Sequence, residues 1–101
     1  MAEVRLSSSV TARYFEDLPD DGSEPAGAFT YYVDQGGRTA GMIYVCPCGC
    51  GQHGSLAFRP RQFPGASWEW DGNRERPTLT PSVHRVGHWH GWLRDGAWHQ
   101  A

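Results

Sequence analysis

Lysine is absent from this 101-residue chain, and all nine basic residues are arginine. A GC-rich genome produces that bias, so it carries no functional weight. Long apolar runs are missing too: none approaches the roughly 18 residues a membrane span requires. The first residues lack the basic-then-apolar order of a secretion signal, so a cytoplasmic protein without membrane contact is expected. Cysteine is scarce, with three residues only. An odd number excludes a closed disulfide framework, and in a reducing cytosol close-set thiols read as metal ligands. A basic excess is lacking, the formal charge being −2, which argues against a dedicated nucleic-acid binder. The length suits one domain with a modest core that would benefit from a staple.

Tryptophan is plentiful but late: all five lie at Trp68 or beyond. Their rings supply apolar area that a small core otherwise lacks. Glycine and proline number 13 and 7 and interrupt almost every window in which a helix could grow. Strand signals fill the gaps. Phe29–Val33 and Met42–Val45 flank a Gly36-Gly37 turn and read as a hairpin. Ser55–Phe58 reads as a returning strand, and Trp68-Glu69-Trp70 alternates. Pro77–Val83 holds two prolines four apart and must be extended. Trp89–Leu93 and Ala97–His99 around Asp95-Gly96 form a last hairpin. The fold class expected is all-β: a small single domain of short antiparallel strands around one zinc site. Residues 1–28 are expected as an N-terminal arm and acidic loop, and 29–101 as the zinc-stapled domain.

The most informative segment is Cys46-Pro47-Cys48-Gly49-Cys50-Gly51, at the end of the first hairpin. Thiolates are natural zinc ligands, and the glycines let the backbone wrap an ion. Three buried free thiols would be the plain alternative, but a Gly/Pro turn is a poor place to bury apolar groups. The one-residue intervals differ from paired Cys-x-x-Cys knuckles, so a closed site needs a ligand from elsewhere. His90 and then His88 are the expected donors, on one face of an extended strand. His84 and His99 read as solvated, and His53 would close a very short ring.

The cysteine turn, Trp68-x-Trp70, Pro77–Val83, His90-Gly91-Trp92-Leu93 and Asp95-Gly96-x-Trp98 together resemble a family of small uncharacterised proteins. These are frequent in bacteriophages, prophages and mobile elements, and some carry a label mentioning ammonia monooxygenase that nothing in this sequence supports. The resemblance covers about residues 29–99. It implies a zinc ion, a phage-type origin and hence a host cytoplasm, but no agreed activity. Members typically carry a cysteine three residues before the histidine that aligns with His90. Here that position is Gly87, followed by His88, so both histidines stand as alternatives for the fourth ligand.

The first functional reading is a structural-zinc accessory protein that binds a host or phage protein, with Trp and Arg as its anchors. This reading names no catalytic residue. The second is a zinc hydrolase, which would need an open coordination position and a base such as Glu69, Asp71 or Glu75; three thiolates weigh against it. Thr78, Thr80 and Ser82 come into view as nucleophiles, but spacing alone defines no Ser/His/Asp set. The third is single-stranded nucleic-acid binding through Arg59, Arg61, Arg74, Arg76 and Arg85 with interleaved Trp, disfavoured by the charge.

Overall fold

The computed structural model describes residues 9–18, 24–61 and 63–101. Among them the chain forms nine strands and no helix. Much of the expected acidic loop lies outside the described residues.

The first hairpin forms as the β-branched and aromatic runs dictate. Strand β2 (Phe29–Val33) pairs antiparallel with β3 (Thr39–Val45). Its turn is held by Asp34, whose Oδ1 accepts from the N–H groups of Gly36 and Arg38. Strand β4 (His53–Ala57) returns along β3, completing a three-stranded sheet. The reversal between β3 and β4 is the cysteine turn, closed by the Cys46 N–H donating to the Gln52 carbonyl.

The second sheet has four strands in the order β1 (Val10–Thr11), β9 (Ala97–Gln100), β8 (Trp89–Arg94) and β7 (Val83–Arg85). The β8–β9 connection is the Asp95-Gly96 pair, both at positive φ (47° and 74°), which is the backbone a two-residue hairpin turn demands. The N-terminal segment therefore supplies an edge strand, and Ala12 beside it is buried. A two-stranded ribbon of β5 (Glu69–Trp70) and β6 (Leu79–Thr80) completes the fold.

The inner faces of both larger sheets share one apolar cluster. Phe29, Met42, Tyr44, Leu56 and Phe58 come from the first half, and Leu79, Val83, Trp89, Leu93 and Trp98 from the second. Trp98 is fully buried against Tyr44, and its indole N–H donates to the Gly27 carbonyl at 3.0 Å. Alternation along β8 buries Trp89, Gly91 and Leu93 and turns His90, Trp92 and Arg94 outward. No described helix is long and apolar enough to cross a membrane.

Candidate metal centre and a neighbouring serine–histidine pair

Cys46, Cys48, Cys50 and His88 converge, their ligand atoms all within 4.8 Å of one another. The Sγ atoms of Cys46 and Cys48 are 3.3 Å apart, and Cys48 Sγ lies 3.8 Å from His88 Nδ1. A tetrahedral site with Zn–S bonds of about 2.3 Å has ligand–ligand edges of roughly 3.7 Å, so the four donors are close to the spacing one ion requires. Gly49 and Gly51, at φ of 91° and 80°, let the chain double back between the thiols.

Burial is the main reason that the Cys46 thiol is pushed up to about 12; the Cys48 N–H opposes this, and the neighbouring thiols reinforce it. For Cys50, a smaller burial effect also raises the value. It is outweighed by the Gln52 N–H, hydrogen bonds from Cys48 and Cys46, and the positive charge of Arg85, so that thiol is lowered. Three thiols this close favour joint ionisation only with a cation among them, which the donor chemistry suits.

Of the two candidate histidines, the turn geometry brings His88 to the thiols. His88 precedes β8, in a turn where its N–H donates to the Arg85 carbonyl and Gly87 has φ 79°. The two histidines therefore do not share one strand face. His88 swings to the thiols, while His90 points from β8 with its Nε2 3.2 Å from Ser82 Oγ. The cross-strand register pairs His84 with His90, and their rings lie 4.6 Å apart. His84, expected as merely solvated, thus packs at a 34° tilt against the histidine that meets Ser82.

Several other candidates have internal tasks. Asp71 Oδ1 accepts from the N–H groups of Asn73 and Thr78, ordering a turn. Thr78 Oγ1 accepts from the Asp95 N–H. Arg59 donates to Ser67, Arg61 to the Ala66 carbonyl, Arg74 to Thr39, and Arg85 to Gln52. Arg76 pairs with Asp95 at 3.0 Å. These arginines are dispersed among protein partners.

The Ser82–His90 pair was missed because residues eight apart become neighbours only once the β7–β8 register is known. The legible signal was the alternation of Ser82, His84, His90 and Trp92 around a short turn. Fold and site together define a small all-β protein with a cluster able to hold a metal ion and, beside it, a serine–histidine pair. Residues 14–101 match the family described as "Bacterial ubiquitination-like system serine protease (BubE)", and the chain belongs to that family. No curated protein and no solved structure matches it.

Proposed function

We propose that this chain is a serine peptidase of a bacterial ubiquitination-like system, with Ser82 as nucleophile and His90 as general base. The contact of Ser82 Oγ with His90 Nε2 at 3.2 Å carries the reading, because hydrogen-bond reach between nucleophile and base is the first geometric requirement of such chemistry. The family description supports the same reaction class. A module that only binds proteins, the first expectation from sequence, gives this contact no role.

The chemistry follows from the two side chains. His90 with Nε2 unprotonated accepts the Ser82 hydroxyl proton as Oγ bonds to the carbonyl carbon of the substrate amide. The tetrahedral adduct collapses with cleavage of the C–N bond, and His90 returns the proton to the departing amine. Water then attacks the Ser82 ester, losing its proton to His90; the ester bond breaks and the serine oxygen is reprotonated. The His84 ring packs against His90, its centroid 4.6 Å away.

The Cys46, Cys48, Cys50 and His88 set fits zinc, with four protein ligands that satisfy a closed tetrahedral site. An ion held there supplies structure rather than a coordination position for substrate. His88 lies in the turn just before the strand that carries His90, so an ion held by the cluster would anchor the turn from which the base is aimed. The zinc-hydrolase alternative is disfavoured because the set is already complete, and Asp71 is engaged in its own turn.

Labelling with a fluorophosphonate probe tests the assignment. The unmodified chain should label at Ser82, and S82A should lose labelling and about 10³-fold or more of any peptidase rate. Bound zinc should stay at one equivalent in S82A. Labelling that survives in S82A would reject the reading.

A further inference from the structure

The outward face of β7, β8 and β9 holds more than the two reacting side chains. Val83 pairs with Gly91 and His84 with His90, so continuing that register by one residue sets Ser82 opposite Trp92. The Trp92 ring is half-buried and lies 6.2 Å from the His90 ring, tilted by 32°. Two residues further from His90, the Arg94 guanidinium lies over the same indole, 4.9 Å from its centre. Among the described residues, Arg38 pairs with Asp34 and Arg76 with Asp95, and Arg94 joins neither pair. Stacking restricts a long side chain beforehand, so less freedom is lost when it takes up a carboxylate.

The charge of this region differs from that of the whole chain. From Leu79 to Ala101 the sequence has Arg85, Arg94 and four histidines but one acid, Asp95, which Arg76 already neutralises at 3.0 Å. Arg94 stands in the outward row, whereas Arg85 pairs with the buried Trp89 and donates to Gln52. An acidic segment laid across this face meets attraction, and a basic one meets repulsion. Spacing gives the position: Trp92 and Arg94 are two residues apart on one strand, about 7 Å, which matches two residues of an extended peptide.

We propose that Trp92 and Arg94 form a substrate subsite selecting an aspartate or glutamate side chain about two residues from the bond that Ser82 attacks. Trp92 is the shelf along which the extended chain lies, and Arg94 reads the carboxylate. The assignment rests on the serine-peptidase reading and adds the class of substrate.

The test uses S82A, which cannot turn substrate over, and fluorescent extended peptides amidated at the C-terminus. Each carries a single Glu or a single Lys, scanned through successive positions. At the preferred position the Glu peptide should bind about 5- to 10-fold tighter than its Lys counterpart, as an ion pair of roughly 1 kcal/mol implies. S82A with R94E should reverse that order, and S82A with R94Q should erase it. Equal binding of both peptides, no binding of either, or a preference untouched by both Arg94 changes would overturn the proposal. So would a preference seen only when the C-terminal carboxylate is free. Hydrolysis of the same peptides is measured with the unmodified chain and S82A. If it persists in S82A, the peptidase reading fails and the subsite assignment with it, whereas loss of the Arg94-dependent preference alone overturns only the subsite.

Discussion

Gly91 sits between the two walls of the molecule, and its lack of a side chain is a packing requirement. A Cβ there would come 2.0 Å from the His99 carbonyl oxygen and 2.6 Å from the Trp89 ring. The carbonyl belongs to the neighbouring strand and cannot yield, so Gly91→Ala should cost about 3 kcal/mol or more, measured by urea denaturation. His88 is constrained by chemistry instead. His88→Cys keeps a soft donor and should retain one zinc equivalent, whereas His88→Ala should weaken zinc binding by about 100-fold, read by chelator competition. Tyr31 shows a third constraint. Its hydroxyl donates to the Arg74 carbonyl at 3.0 Å, and burial raises the phenol to about 12 despite the opposing Arg74 charge. An unfolded tyrosine titrates near 10, so above that pH the unfolded chain binds fewer protons than the folded one. Stability should therefore be full below pH 10 and fall as the pH rises towards 12, with a shallower fall in Tyr31→Phe.

At the scale of elements, the β7–β8 hairpin carries the proposed Ser82–His90 pair, and its turn decides which histidine meets the thiols and which meets Ser82. Gly87 has φ 79° with nothing within 4 Å of a notional Cβ, so a side chain would meet conformational strain and no clash. Gly87→Ala should cost about 1 kcal/mol, a smaller loss than Gly91→Ala, compared in the same denaturation series. The hairpins were legible in the sequence because their signals are local. Phe29–Val33 and Met42–Val45 alternate around a glycine turn, and Asp95-Gly96 carries the residues a tight turn needs. The cysteine cluster was legible for the same reason, three donors falling within five residues. The histidines were not, because an unbroken strand through Gly87 would have put His88 and His90 on one face. The turn at Gly87 separates them, and no local pattern reports a φ of that sign at a glycine. Ser82 was likewise visible as a hydroxyl but silent about its partner, which a neighbouring strand supplies.

Across the whole molecule, the candidate metal-ligand set joins regions that the backbone pairs separately. Cys46, Cys48 and Cys50 follow β3 of the three-stranded sheet, while His88 belongs to the turn feeding β8 of the four-stranded one. The shared core already joins these sheets through Tyr44 and Trp98, but it acts on their inner faces and leaves the turn to the ligands. Zinc sites in small peptides are worth roughly 10 kcal/mol or more in apparent terms, comparable to or above the net stability of a domain this size. On the zinc reading, removing the ion should therefore act on fold and chemistry together. With a chelator, the melting transition should drop steeply or vanish, and fluorophosphonate labelling of Ser82 should disappear over the same concentration range. Readdition of zinc should restore both. If labelling persists after the zinc has been removed and the transition is unchanged, the ligand set neither holds the sheets together nor aims His90. The Ser82–His90 pair would then owe its geometry to the β7–β8 register alone.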